Sequence, residues 1–218
     1  MSTHANEPLD PQRRALLVKA TATVGGLVIC GAAVPFIDSL RPSARATANA
    51  APVDFDVGRL APGGLATVQW RGRPVWVLKR TDEQLRTLAK ITPELSDPQS
   101  KVPQQPRDMN LDLRDGLRAA DPHLLVLVGI CTHLGCIPSY YPDPGALGSQ
   151  WPGGFYCPCH GSKYDLAGRV FSGSPAPVNL PVPPYYMASA TVLRIGETRN
   201  GGDQNWQPTI WYPGREQR

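Results

Sequence analysis

Two six-residue segments of this chain carry residue types that could hold a metal: Cys131-Thr132-His133-Leu134-Gly135-Cys136 and Cys157-Pro158-Cys159-His160-Gly161-Ser162. Each offers a thiolate and an imidazole at short spacing, Cys-x-His in the first and Cys-x-x-His in the second. Two cysteines and two histidines suit a tetrahedral zinc ion. They equally suit a two-iron, two-sulfide cluster, with thiolates on one iron and imidazoles on the other. Each segment also holds a second cysteine, and that extra pair can close a disulfide beside the site. A structural zinc ion leaves those cysteines unexplained, as well as the Ser162-x-Tyr164 that follows the second segment. A Cys-x-Cys redox pair leaves both histidines idle.

The two boxes resemble those of the Rieske iron–sulfur family, in the version found in quinol–cytochrome c oxidoreductase, the cytochrome bc complex. The resemblance implies one [2Fe–2S] cluster, with Cys131 and Cys157 on one iron and His133 and His160 on the other. It implies a Cys136–Cys159 disulfide joining the cluster loops. The matching serine of the family bonds a bridging sulfide and the matching tyrosine a cysteine sulfur, which assigns those roles to Ser162 and Tyr164. Leu134 would exclude water near the quinone. Gly173-Ser174-Pro175-Ala176-Pro177-Val178-Asn179-Leu180 resembles the proline loop that covers the cluster, which places Pro175 at the cofactor; proline stiffens a backbone and removes a donor. In the family the histidine of the second box hydrogen-bonds quinol, so His160 is the expected carrier of the redox-linked proton, with His133 the second candidate.

Such a ligand set has an electrostatic consequence. With two ferric ions, two sulfides and only two thiolates the oxidised cluster is formally neutral, whereas an all-cysteine cluster is dianionic. A neutral site accepts an electron more readily, hence the range of roughly −150 to +300 mV known for mixed-ligand centres of this type. Hydrogen bonds to sulfur favour the reduced state further, so the hydroxyls of Ser162 and Tyr164 point to the upper part of that range. Each imidazole keeps an outer nitrogen. Reduction makes its N–H less acidic, so electron and proton uptake are linked, as oxidation of a quinol requires.

The elements that must position these boxes can be read outward from them. The chain has 218 residues, 24 of them proline; that argues for many turns and against a helical bundle. A mostly β protein is expected: one N-terminal transmembrane helix and a Rieske-type antiparallel head with a small cluster-binding subdomain. Residues 20–37 are free of charge and reach the lower limit for a membrane span. Arg13-Arg14-Ala15-Leu16-Leu17-Val18-Lys19, just before them, resembles a twin-arginine export signal. The expected organisation is a cytoplasmic N-terminus over 1–19, an anchor over 20–38, a flexible tether over 39–52, and a head over 53–218 with its cluster-binding part near 124–180. Ala48-Asn49-Ala50 could be a cleavage site, but the apolar stretch is longer than a removed signal requires and is expected to be retained. Cys30 reads as a small apolar residue of that stretch, not a ligand. The net charge of +4 is split evenly between residues 1–50 and the rest, with no basic cluster for nucleic acid.

Within the head, Val53-Asp54-Phe55-Asp56-Val57 alternates like a half-buried strand. Two apolar runs flank Arg71-Gly72-Arg73, which predicts a hairpin. Thr81 and Gln84 predict a capping box for a helix through about Lys90. Residues 92–122, with five prolines, read as loop. The run from Leu124 to Ile130 reads as a buried strand feeding the first box, and Thr191 to Ile195 as a late strand. Two departures from the family pattern stand out: Ser174 sits between the usual glycine and Pro-Ala-Pro, and surplus residues between the boxes, expected over 139–154, predict a surface excursion. Trp206, Trp211 and Tyr212 in the tail are apolar enough to pack on the head or on another subunit.

The bc-type resemblance implies cytochrome b and c-type cytochrome subunits as partners in a dimeric complex, quinol as reductant, and a bacterial inner membrane with the head in the periplasm. A Rieske oxygenase needs two further histidines for a mononuclear iron. Only His4, ahead of the apolar stretch, and His123 are left, which excludes it. A small subunit of the arsenite-oxidase type and a zinc module are the alternatives; the retained anchor and the Pro-Ala-Pro loop favour the bc type.

Overall fold

The structure is a computed structural model that describes residues 10–41, 43, 48, 50–201 and 206–208. Two units can be distinguished, residues 1–47 and 48–218. The first is a single helix, α1 (Pro11–Ser39, 29 residues), long and apolar enough to cross a membrane. It starts well before the expected anchor, at Pro11 and not at residue 20. The Asp10 carboxylate accepts the Gln12 N–H at 2.9 Å, and Pro11 fills the first turn, where a backbone donor has no partner to lose. The twin arginines are therefore helical. Cys30 is exposed on α1. His4, residues 42, 44–47 and 49 of the expected tether (Asn49 also belonging to the small-residue triplet), Trp211 and Tyr212 lie outside the described residues.

The second unit is built from three antiparallel sheets of three strands. The strands are β1 (Val53–Asp56), β2 (Leu65–Trp70), β3 (Arg73–Lys79), β4 (Leu124–Val128), β5 (Ser139–Tyr141), β6 (Gly154–Tyr156), β7 (Lys163–Tyr164), β8 (Tyr185–Met187) and β9 (Val192–Ile195). They pair in the orders β1-β9-β8, β2-β3-β4 and β5-β6-β7. The predicted hairpin is β2–β3, with Trp70 opposite Arg73. The capping box is present at α2 (Asp82–Lys90): Thr81 Oγ accepts the Gln84 N–H and Gln84 Oε1 accepts the Thr81 N–H. Strand β4, Leu-Leu-Val-Leu-Val, is buried throughout, as a continuous apolar run demands, but ends at Val128. Trp76 of β3 stacks on Phe155 of β6 with centroids 4.7 Å apart, which joins the second sheet to the third.

The third sheet is the scaffold of the boxes. The second box is the loop of the β6–β7 hairpin, where Tyr156 faces Lys163. The first box leaves β4 and enters β5, whose Ser139 also faces Tyr156. Register alone thus delivers both boxes to the same end of one small sheet.

The excursion expected over 139–154 does run over the surface through residues 143–150, but its two ends belong to the head. Its first residues are β5, its last is Gly154 of β6, and between them Trp151 is only 4% exposed. Trp151 donates its indole N–H to Tyr141 O at 3.0 Å and lies 6.3 Å from the Phe171 ring. A large aromatic surface is buried in preference to being solvated, and that pulls the segment back onto the head. Of the tail, Trp206 lies against the core, and its carbonyl accepts a hydrogen bond from Arg71 at 3.1 Å.

Beneath the boxes lie three guanidiniums that the sequence did not announce. Arg80, Arg118 and Arg169 are each 1% exposed or less. Among the described residues Asp165 is the one comparably buried carboxylate; Arg169 Nε donates to it at 2.6 Å. Arg80 instead donates to the carbonyls of Pro122, Leu117 and Leu166, and Arg118 to those of Ala167, Gly168 and Leu180. Desolvation pushes both down to about 10, so both stay charged at neutral pH. They act as staples across loops that have few strand hydrogen bonds of their own.

Candidate metal centre

Each box closes on itself in the same way. Cys131 N–H donates to Cys136 O at 2.7 Å, and Gly135 N–H to Cys131 O at 3.0 Å. In the second box Cys157 N–H donates to Ser162 O at 2.8 Å, and Gly161 N–H to Cys157 O at 2.9 Å. Gly135 and Gly161 both take positive φ, 88° and 82°, a region open to glycine at little steric cost. The two loops are therefore two copies of one turn, with the ligand cysteine first and glycine fifth. That Cys-x-x-x-Gly spacing is written in both boxes and was the signal for these glycines.

The sulfur side of the site is dry. Cys131 and Cys157 are each 1% exposed, and each lies within electrostatic reach of the other. Burial pushes the Cys157 thiol up; the backbone N–H groups of Cys159 and His160 oppose this, and the neighbouring Cys131 adds to it. Two adjacent buried thiols cannot both ionise without a cation to neutralise them, which is the charge pattern of a metal site. Tyr164, fully buried, sets its hydroxyl 3.2 Å from Cys131 Sγ and accepts the Thr132 N–H at 3.1 Å. Burial, more than the adjacent Cys131, raises the phenol well above its ordinary range, so it keeps its proton as a donor. Thr132 was not singled out from sequence; its hydroxyl donates to Val178 O at 2.7 Å and fastens the first box to the proline loop.

The imidazole side differs. The His133 and His160 rings meet edge to face at 4.7 Å. His133 Nδ1 is buried without a hydrogen-bond partner among the described residues, and a buried polar nitrogen left orphaned is costly unless something binds it. His160 is exposed. Leu134 is 56% exposed, and Ile137 at 58% joins it as an exposed apolar residue the sequence did not mark. Pro175 is exposed; its neighbour Ala176 is buried and donates its N–H to Ser162 Oγ at 3.1 Å.

Cys136 and Cys159 are bonded to each other, with an S–S distance of 2.12 Å. The sulfurs of Cys136, Cys157 and Cys159 lie within 4.8 Å of one another. Because two of these are consumed by the disulfide, Cys157 is the one thiol of that trio able to bind a metal, and its partner thiol is Cys131. The residues present thus fit a two-thiolate, two-imidazole cluster: Cys131, Cys157, His133 and His160 would hold it, with Tyr164 and Ser162 as hydroxyl donors to sulfur.

The disulfide closes a sequence separation of 23 residues, which on chain-entropy grounds stabilises the head by about 3 kcal/mol. Replacing Cys136 and Cys159 together by alanine should lower stability by about that amount in denaturant unfolding of the full chain. An unchanged midpoint would mean that the cluster loops are held by their internal hydrogen bonds alone.

Comparison with known proteins agrees with this site. Residues 104–184 match the family described as "Rieske [2Fe-2S] domain", and residues 3–43 the one described as "Ubiquitinol-cytochrome C reductase Fe-S subunit TAT signal". The ubiquinol-cytochrome c reductase iron-sulfur subunit of Allochromatium vinosum is 49% identical over 88% of this chain and 91% of its own length. That of Blastochloris viridis is 38% identical over 88% and 97%. A chain of a solved structure titled "Hyperthermophilic respiratory Complex III" is 26% identical over 82% of this chain and 98% of that one, with a TM-score of 0.43. With the mixed ligand set, the disulfide and an apolar N-terminal helix in one polypeptide, the chain belongs to the family of Rieske [2Fe–2S] iron–sulfur subunits of ubiquinol–cytochrome c reductase.

Proposed function

We propose that this chain takes one electron from membrane quinol at a site shared with cytochrome b and passes it to a c-type cytochrome, releasing a proton in the process. The observation that carries the reading is the asymmetry of the site: the thiols and the Tyr164 and Ser162 hydroxyls are buried, while His160 is exposed. When bound, the [2Fe–2S] cluster supplies one-electron chemistry at high potential. Cys131, Cys157, His133 and His160 would hold it. His160, through its outer nitrogen, hydrogen-bonds the quinol hydroxyl and receives its proton as the electron arrives; the proton leaves once the c-type cytochrome has taken the electron. His133 is the second carrier. Leu134 presents an apolar surface to the quinone ring and keeps water from the hydrogen bond. Pro175 and its loop wall the remaining side.

The same reading makes α1 a single-pass anchor in the bacterial inner membrane, with residues 1–19 cytoplasmic and the head in the periplasm. Residues 39–52 tether the head and let it move between its two electron partners in a dimeric complex. The twin arginines favour export of an already folded head, so the cluster is inserted first. The test is the EPR spectrum of the reduced protein in its membrane complex, with and without an inhibitor that resembles quinol. The expected result is a reversible change in line shape on adding the analogue, with b- and c-type haem co-purifying. A reduced protein that holds zinc, or whose spectrum ignores the analogue, overturns the reading.

A further inference from the structure

The proline loop is fastened to the second box by two serines pointing in opposite directions. Residues 174–178 alternate in exposure: Ala176 and Val178 are buried and Ser174 is half-buried, whereas Pro175 and Pro177 are exposed. Proline has no N–H, so Ala176 carries the one backbone donor of Pro175-Ala176-Pro177. That donor goes to Ser162 Oγ at 3.1 Å. A serine hydroxyl has a single proton and two lone pairs. With Ala176 occupying a lone pair, and with no protein acceptor for the Ser162 proton among the described residues, that proton is left for a sulfur. Two residues earlier, Ser174 Oγ accepts the Lys163 N–H at 3.1 Å and faces the Lys163 carbonyl at 3.4 Å. Lys163 stands between Ser162 and Tyr164, the two hydroxyl residues of the site.

From this juxtaposition we propose that Ser174 is a positioning residue. Its hydroxyl fixes the register of the proline loop on the second box, so that Ala176 N–H meets Ser162 Oγ and the Ser162 proton is presented to the cluster sulfide. The inference rests on the [2Fe–2S] reading above. It also explains why an extra residue before Pro-Ala-Pro is accommodated: the added side chain does the fastening that a tighter loop has no room for. Without the latch the loop can slide, the Ser162 hydroxyl regains its freedom to rotate, and its hydrogen bond to sulfur weakens. A weaker bond to sulfur disfavours the reduced state.

The test is an EPR-monitored redox titration of the full chain in its membrane complex, for Ser174→Ala, Ser174→Thr, Ser162→Ala and the Ser162→Ala/Ser174→Ala double variant. Ser174→Ala should make electron uptake roughly 3-fold less favourable, the lower end of what one neutral hydrogen bond contributes. Ser174→Thr, which keeps the hydroxyl, should restore the potential. In the Ser162→Ala background, Ser174→Ala should add nothing, because the serine through which it acts is gone. Equal shifts in both backgrounds, or no shift in either, overturn the proposal. Should Ser174→Ala fail to assemble a cluster, hydrogen exchange of the Ala176-containing peptide in the Ser174→Thr protein decides: protection as in the parent is expected, and loss of protection despite the hydroxyl overturns it. A parent protein that shows no reduced-cluster signal refutes the [2Fe–2S] reading itself. A normal signal with an immobile potential refutes only the role of Ser174.

Discussion

Cys131→Ser is expected to yield a protein without iron, acid-labile sulfide or an EPR signal after reduction, and with quinol–cytochrome c activity at background. Cys131 is buried, its sulfur lies 3.2 Å from the Tyr164 hydroxyl, and among the described residues Cys157 is the other buried free thiol. Removing one of two thiolates removes half of the negative charge that the protein itself brings to the metal pair. Serine is a hard and weakly acidic substitute. Cys30→Ser is the matched control: Cys30 is exposed on the N-terminal helix and should lose without effect. Iron and sulfide analysis beside EPR checks both. Retention of a normal reduced signal in Cys131→Ser would remove Cys131 from the ligand set.

Arg169→Leu should destabilise the head by about 3–5 kcal/mol, because it takes from the buried Asp165 carboxylate its one direct ion-pair partner among the described residues. Asp165 is fully buried; its Oδ1 accepts the N–H groups of Ala167 and Arg169, and Arg169 also donates to Leu88 O at 2.9 Å. In a domain of this size the loss corresponds to a fall of roughly 10 °C in the unfolding midpoint. Asp165→Asn combined with Arg169→Leu should recover a large part of it, since asparagine still accepts the two backbone donors and carries no charge. Calorimetry or thermal circular dichroism of the variants is the check; equal losses in single and double variants would show that the arginine contributes by filling space and not by pairing.

The site was more legible than the fold around it. The candidate ligands, the disulfide cysteines and the two hydroxyl residues lie in or just after two short boxes, and side-chain chemistry at fixed spacing is what a sequence displays best. The β2–β3 hairpin and the capping box at Thr81 and Gln84 were equally open, because turn and cap preferences are local. What stayed hidden is what depends on distant partners. Arg80 and Arg118 look like surface residues until the carbonyls around Leu117, Leu166, Gly168 and Leu180 converge on them. Trp151 sits in a stretch with the proline and glycine content of a surface loop, yet Phe171 and Tyr141 draw it in. The helix begins at Pro11 because of Asp10, a cap that hydropathy alone passes over.

The matched turns of the two boxes have a consequence of their own. Each is closed by two backbone hydrogen bonds contained within six residues, so each half of the site is preshaped before the halves meet. Little ordering entropy then remains to be lost when they come together. Such a site is built in halves: the rest of the domain supplies a pair of strand ends at the right separation, together with Tyr164, Ala176 and Val178 to lock the two preshaped turns in place.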